Sequence, residues 1–200
     1  MNVSQLKAKR SVIETFSRDQ LKRVISLNDR NTFCGLRNYT IMMLWLETAI
    51  RRDEALTIRL NDIEWNRGLI LINGKGRRQR YVPFQETFSK ILRQYIKVRG
   101  KLDMDVLFVS EFNEPLKSLS VNDYFKKLGQ KARLPLRCSP HTFRYTSARM
   151  YIENGGDSFS LKDIMGHSTL TQTLHYVDMW GKNVAERHSL YSPLKQLLQG

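Results

Sequence analysis

Cysteine is scarce in this 200-residue chain, and its scarcity excludes one class of protein. The two cysteines, Cys34 and Cys138, are too few to hold together a disulfide scaffold of this size. Neither cysteine has a neighbouring cysteine or histidine at metal-ligand spacing. The expectation is a cytoplasmic protein with two reduced thiols of no special role.

Long apolar runs are also missing. The longest, Ile41 to Leu46, is far too short to span a bilayer, which needs roughly 20 residues. The first ten residues are polar and basic and do not resemble a secretory signal. Hydrophobic residues still make up 41% of the chain, which is enough for the core of one domain or two small ones.

Acidic residues are heavily outnumbered. The chain has 33 lysines and arginines against 19 aspartates and glutamates, a formal net charge of +14. Such an excess favours a nucleic-acid partner, because each phosphate contact made by a cationic side chain releases counterions. A basic but merely soluble protein is the plainer alternative, and a membrane-surface protein is less favoured because no long basic amphipathic stretch is visible.

The spacing of apolar residues and the position of helix-capping residues predict a mostly helical domain. Ser17 and Gln20 match a capping box, and Phe16 with Leu21 matches a hydrophobic staple, so the first helix should run from 17 to about 27. Periodicity predicts further helices over 36–50, 53–58, 85–98, 120–132, 140–154, 161–165 and 184–190.

A hairpin interrupts these helices. Two apolar runs, 69–72 and 80–83, flank Asn73-Gly74, a strong hairpin signal that puts Lys75 on or beside the turn. A further strand or extended segment is predicted over 106–109. The fold class is therefore α+β, mostly helical with a small antiparallel sheet.

Two basic segments lie in the first half of the chain. Arg51, followed by Glu54, comes directly after the most apolar helix, which alone is typical of a solvated helix end. The hairpin tip is glycine-rich and basic, which suits either entry into a DNA groove or an ordinary exposed turn. Its cationic residues are Lys75, Arg77, Arg78 and Arg80.

Two further segments lie in the second half. His141 and Arg144 are three residues apart and share one face of a helix, where a histidine can move a proton and an arginine can hold a phosphate. His167 is followed nine residues later by Tyr176. A tyrosine with a pKa near 10 is a poor nucleophile without cationic stabilisation, and most such tyrosines are core residues.

Taken together, the four segments match one reaction. Displacement at a phosphodiester without a metal needs a nucleophile, fixed cations around the nonbridging oxygens and a proton donor for the leaving oxygen. The chain offers all of these in Arg51, Lys75, His141, Arg144, His167 and Tyr176.

These segments resemble the catalytic domain of the tyrosine recombinases, the phage integrase family. Thr48-Ala-Ile-Arg51 resembles the family's T-G-L-R segment, and Gly74-Lys75-Gly76 its lysine hairpin. Pro140-His141-x-x-Arg144 and Met165-Gly166-His167-Ser168 resemble the His-x-x-Arg and L-G-H-S segments. Ala49, Tyr145 and Met165 depart from the usual Gly, His and Leu, but none of the three removes a catalytic group.

The resemblance implies a role for each residue. Tyr176 would attack the scissile phosphate, leaving a 3′-phosphotyrosine and a free 5′-hydroxyl. Arg51, Arg144 and His167 would hold the nonbridging oxygens, Lys75 would protonate the leaving oxygen and His141 would assist proton transfer at Tyr176. The supporting residues would be Glu54 for the arginines and Arg77, Arg78 and Arg80 for contacts with DNA. No metal, ATP or other cofactor is implied.

The resemblance also implies the organisation and partners. Residues 1–15 would be a basic arm or linker remnant, 16–179 the catalytic domain and 180–200 a tail that packs on its own domain or on a neighbouring protomer. Many family members carry a core-binding domain of roughly 100 residues before this one. The implied partners are double-stranded recombination sites, three more copies in a DNA-bound tetramer and accessory DNA-bending proteins. Off DNA, a monomer or weak oligomer in the bacterial cytoplasm, associated with the nucleoid, is expected.

Two rivals remain at this point. A type IB topoisomerase uses a similar residue set, although the Gly-His-Ser segment and the step to Tyr176 favour a recombinase. A DNA-binding regulator would keep the basic residues without needing six catalytic types in order. Within the recombinases, a mobile-element integrase or transposase is the first expectation and a DNA invertase the second.

Overall fold

A computed structural model describes residues 13–74, 76 and 78–180, except for the side chain of Val177. The fold is α+β and mostly helical, as predicted. Among the described residues, every helix is too short or too polar to cross a bilayer. The helices are α1 (Arg18–Ser26), α2 (Phe33–Thr48), α3 (Arg52–Leu56), α4 (Glu86–Arg99), α5 (Ser118–Lys131), α6 (Pro140–Glu153), α7 (Ser158–Met165) and α8 (Thr171–Trp180).

Helix starts follow the local sequence signals. The capping box at α1 is confirmed: Ser17 accepts from the backbone N–H of Gln20, and the Gln20 side chain accepts from Ser17 N–H. Helix α6 begins with Pro140, and the Ser139 side chain caps it by accepting from Thr142 N–H. His141 and Arg144 therefore lie close to a well-defined helix start.

A three-stranded antiparallel sheet lies between α3 and α4 in the chain, in the order β1 (Ile63–Glu64), β2 (Leu69–Asn73), β3 (Gln79–Pro83). The predicted hairpin is confirmed, with Ile70 opposite Val82 and Asn73 opposite Gln79. Strand β1 was not predicted, because two residues are too few for a visible alternation. The segment 106–109 forms isolated bridges and no regular strand.

One core holds most of these elements together. Helix α2 is its centre and packs against both α4 and α6. Trp45 of α2 is fully buried, with its ring 5.1 Å from that of Phe125 and 6.0 Å from that of Phe143, measured between centroids. A smaller apolar cluster, built from α6, α7 and α8, includes Ala148, Ile152, Met165 and Tyr176.

The last described helix was missed by the sequence prediction. Thr171 and Thr173 disfavour a helix interior, which masked the spacing of Thr173, Tyr176 and Trp180 along one face. The helix forms because that face packs on α6 and α7. The predicted helix over 184–190, most of the tail and most of the N-terminal arm lie outside the described residues.

Candidate active site

The predicted site residues come from four separate parts of the fold. Arg51 is the N-cap of α3, Arg144 lies in α6, His167 follows the end of α7 and Tyr176 lies in α8. Long-range contacts join them: Arg51 reaches Gly166, and Arg144 reaches both Ala49 and His167. The fold thus brings together four residues that span 126 positions of sequence (176 − 51 + 1).

Glu54 organises the first arginine. Glu54 is 7% exposed, and its carboxylate accepts two bonds from Arg51: one from the backbone N–H at 2.8 Å and one from Nη1 at 3.1 Å. Arg51 Nη2 donates to the carbonyl oxygen of Gly166 at 3.2 Å.

 Of these three Arg51 donors, therefore, two end on Glu54 and the third ends on the Gly166 carbonyl. Burial alone would raise the pKa of Glu54, but the bonds from Arg80 and Arg51 outweigh it and keep the pKa below its usual value.

Arg80 of β3 completes this cluster from the other side. It binds Glu54 with both terminal nitrogens, at 3.0 and 2.9 Å, and its Nε donates to the carbonyl oxygen of Ile164 at 3.1 Å. Its side chain is only 16% exposed. The contact of Arg80 with DNA stays a prediction; in this structure its guanidinium joins the sheet to α3 and to the end of α7.

Gly166 makes room for that guanidinium. It ends α7 in the left-handed conformation, with φ of +66°. A Cβ at this position would lie 2.6 Å from Arg80 Cζ. The glycine of the Gly-His-Ser segment is therefore needed for the backbone turn and for the close approach of Arg80, which the sequence alone did not reveal.

Arg144 is the most deeply buried cation of the site, at 5% exposure. Its Nη1 donates to the carbonyl of Ala49, and its Nη2 donates to Met165 O at 3.0 Å and contacts His167 Nε2 at 3.1 Å. Desolvation, together with the charge of Arg51, lowers its pKa to about 10, so it stays protonated at neutral pH. Three of its five N–H groups are used in this way.

These contacts define the protonation of His167. An arginine can only donate, so His167 Nε2 must carry a lone pair where it faces Arg144. The proton of the neutral ring is then on Nδ1, which lies 2.8 Å from Thr173 Oγ1. Burial and the charges of Arg144 and Arg51 lower the pKa of His167 to about 4, which agrees with a neutral ring.

Tyr176 packs its ring against the ring of His167. The two rings are stacked, with centroids 6.0 Å apart and planes 16° apart, and Trp180 stacks at 5.6 Å from the tyrosine ring. The side chain is 5% exposed, and its pKa is raised to about 12 by burial and by Tyr145, an effect that Arg144 partly offsets. The tyrosine is therefore protonated and largely covered in this state.

A cleft of about 1070 Å³ opens beside these residues. Its wall carries four cationic side chains: Arg51, Arg78, Arg80 and Lys162. The three acidic ones are Asp53, Glu54 and Asp163, of which Glu54 is already paired with Arg51 and Arg80. Among the described residues, no group of three or more histidine, cysteine or acidic side chains could hold a metal ion.

The remaining predicted site residues are either exposed or outside the described part of the chain. His141 is exposed at the first turn of α6, and its pKa is lowered by desolvation and by Arg144 and Arg52. Arg78 is exposed on the cleft wall. Lys75 and Arg77 lie outside the described residues, so their roles stay predictions. Thr173 was not predicted as part of the site, although it lies one helical turn before Tyr176.

Comparison with known proteins agrees with this geometry. The phage integrase family matches residues 14–180. A relative from Anoxybacillus flavithermus, named tyrosine recombinase XerC, is 36% identical over 165 residues, which cover 79% of this chain and 55% of the relative. The chain thus spans little more than half the length of this curated relative.

Solved structures give the same answer for the fold. The crystal structure of XerA recombinase superposes with a TM-score of 0.74 at 27% identity and covers 90% of this chain and 65% of the other. The catalytic domain of bacteriophage HP1 integrase has a TM-score of 0.68 at 22% identity, with 92% and 98% covered. The second likeness concerns the fold alone.

Proposed function

Since this chain belongs to the phage integrase family, we propose that it is the DNA-cleaving part of a site-specific tyrosine recombinase. The observation that carries the proposal is that Arg51, Arg144, His167 and Tyr176 come together in one site from four parts of the fold. Three arginines, counting Arg80, surround a single buried carboxylate, so the site keeps a positive excess suited to a phosphate.

The proposed reaction is a displacement at phosphorus. The Tyr176 oxygen forms a bond to the scissile phosphorus while the bond to the 5′-oxygen breaks, giving a 3′-phosphotyrosine. The phenol proton passes to His141, and the leaving oxygen takes a proton from Lys75. Arg51 and Arg144 stabilise the negative charge on the nonbridging oxygens. Attack by the 5′-hydroxyl of a partner strand reverses these steps, so rejoining needs no ATP.

The raised pKa of Tyr176 means that the phenol must be activated before it can attack a phosphate. At about 12, the phenol is almost entirely protonated at neutral pH. Nucleophilic attack therefore depends on the proton acceptor and on the arginines that stabilise charge as it develops. We propose double-stranded recombination sites as the substrate and a DNA-bound tetramer as the active assembly.

The test is covalent capture on DNA. The protein is incubated with nicked duplexes whose central sequence is randomised, because release of a short fragment at the nick traps the covalent complex. We expect a protein–DNA species that survives denaturation, is lost in Tyr176→Phe and is mapped by mass spectrometry to a tyrosine phosphate at position 176. Sequencing the trapped DNA then identifies the preferred site.

Tyr151→Phe is the matched control. Tyr151 packs against the same small apolar cluster as Tyr176, so both variants remove one hydroxyl from neighbouring positions. Trapping should persist in Tyr151→Phe. Supercoil relaxation by wild type without any preferred site would favour a type IB topoisomerase. DNA binding with no trapped species in any variant would favour the non-catalytic regulator and overturn the proposal.

A further inference from the structure

Thr173 is buried beside the candidate site and has no role in the reaction as written above. Its side chain is fully buried, and Oγ1 lies 2.8 Å from His167 Nδ1. The residue occupies the first turn of α8, three positions before Tyr176, so both side chains lie on the inner face of one helix.

The direction of the contact follows from the opposite side of the ring. Arg144 Nη2 lies 3.1 Å from His167 Nε2 and brings hydrogens only, so Nε2 must accept. Nδ1 of the neutral ring then carries the proton and donates it to Thr173. With the opposite tautomer, Nε2–H would point at the Arg144 guanidinium, and two donors would face each other in a buried place.

We propose that Thr173 is a positioning residue: its hydroxyl accepts the Nδ1–H of His167 and holds the ring in the orientation in which the Nε2 lone pair directs Arg144 toward the phosphate. The role of Arg144 at a phosphate rests on the proposed function, whereas the Thr173–His167 hydrogen bond does not. The same arrangement links the orientation of His167 to the docked position of α8, because Thr173 and Tyr176 move together.

The experiment compares Thr173→Val with Thr173→Ser. Valine keeps the branched shape and removes the hydroxyl, whereas serine keeps the hydroxyl and removes the methyl group. Thr171→Val, on an exposed position of the same helix, is the matched control for an added valine. Circular dichroism and thermal melting confirm that each variant is folded before it is compared.

The first readout is the tautomer of His167 and the solvent exchange of its ring N–H in the free protein, measured by nitrogen NMR with histidine labelling. The His167 signals are assigned by their loss in His167→Asn. At pH 7 we expect a slowly exchanging proton on Nδ1 and an unprotonated Nε2 in wild type, Thr173→Ser and Thr171→Val. In Thr173→Val the Nδ1 proton loses its acceptor and should exchange about tenfold faster or more. A protonated Nε2 in wild type, or an unchanged exchange rate of the Nδ1 proton in Thr173→Val, would overturn the proposal.

The second readout is the single-turnover rate of covalent trapping on the nicked duplex. Loss of one buried hydrogen bond predicts a rate about 5- to 150-fold lower in Thr173→Val, with DNA affinity unchanged and Thr173→Ser within about threefold of wild type. An unaltered rate in Thr173→Val would refute the positioning role. If wild type itself forms no covalent complex, the proposed function fails, and the NMR result still decides whether Thr173 holds His167.

Discussion

The Glu54–Arg80 pair gives the most direct test of how the site is held together. Glu54 is 6% and Arg80 16% exposed in their side chains, and they share two hydrogen bonds at 2.9 and 3.0 Å. Removing one partner of a buried pair leaves the other charge uncompensated, which typically costs about 3–5 kcal/mol. Arg51 also binds Glu54, so the carboxylate stays partly paired when Arg80 is replaced, and we expect the lower end of that range for Arg80→Met.

A double-mutant cycle measures the coupling. The free energy of unfolding is obtained from urea titrations of wild type, Glu54→Gln, Arg80→Met and the double variant. We expect each single variant to lose about 3 kcal/mol and the double variant to lose about 1–3 kcal/mol less than the sum. Additivity within about 0.5 kcal/mol would refute the idea that Arg80 acts through Glu54.

An exposed pair in the same protein is the control for that cycle. Arg59 and Asp105 are 3.2 Å apart, with side chains 61% and 37% exposed. Solvent screens such a pair, so the cycle of Arg59→Met with Asp105→Asn should give a coupling of about 0.2–1 kcal/mol. A coupling as large as that expected for the buried pair would show that burial is not the cause.

Three further perturbations test local features of the site. Ala49→Gly should raise the free energy of unfolding, measured in urea titrations, by about 0.5 kcal/mol. The backbone strain of an alanine at a left-handed φ of +49° is relieved, and this gain exceeds the loss of one buried methyl group. A lower free energy of unfolding would contradict this. Gly166→Ala should lose about 2 kcal/mol or more through its contact with Arg80. Gly155→Ala, at the corresponding position after α6 and with no neighbouring atom, should lose about 1 kcal/mol; equal losses would argue against the contact. The pKa of His167 is about 4 in the folded protein and 6.5 in its unperturbed state, so the unfolded chain binds the proton first as the pH falls. The free energy of unfolding should therefore fall by about 1 kcal/mol from pH 7 to pH 5, a figure already discounted for the partial exposure of the ring. His167→Asn should lose that share of the pH dependence.

The sequence predicted which side chains share a site better than it predicted the structure that holds them there. Arg51, Arg144, His167 and Tyr176 carry recognisable spacing, and the structure brings them together. Arg80 was assigned to DNA because a basic hairpin tip is normally exposed. Its inward direction depends on where β3 lies against α3 and α7, which no local pattern records.

The contribution of α8 was missed for a related reason. Threonine is a weak helix former, and intrinsic propensity outweighed the spacing of Thr173, Tyr176 and Trp180 in the prediction. Packing of that face on α6 and α7 reverses the balance, which is a tertiary effect. Because the helix was not foreseen, neither was the position of Thr173 next to His167.

The burial of Tyr176 bears on how cleavage is controlled. The phenol is 5% exposed, has a pKa raised to about 12 and lies between the rings of His167 and Trp180. A phosphodiester in the basic cleft cannot meet this oxygen unless the helix or the DNA changes position. Any shift of α8 that exposes Tyr176 also moves Thr173, which alters the hydrogen bonding of His167 and, through it, of Arg144. Exposure of Tyr176, the proposed nucleophile, and adjustment of Arg144, the proposed phosphate ligand, are therefore expected to occur together, because one helix carries the atoms that control both.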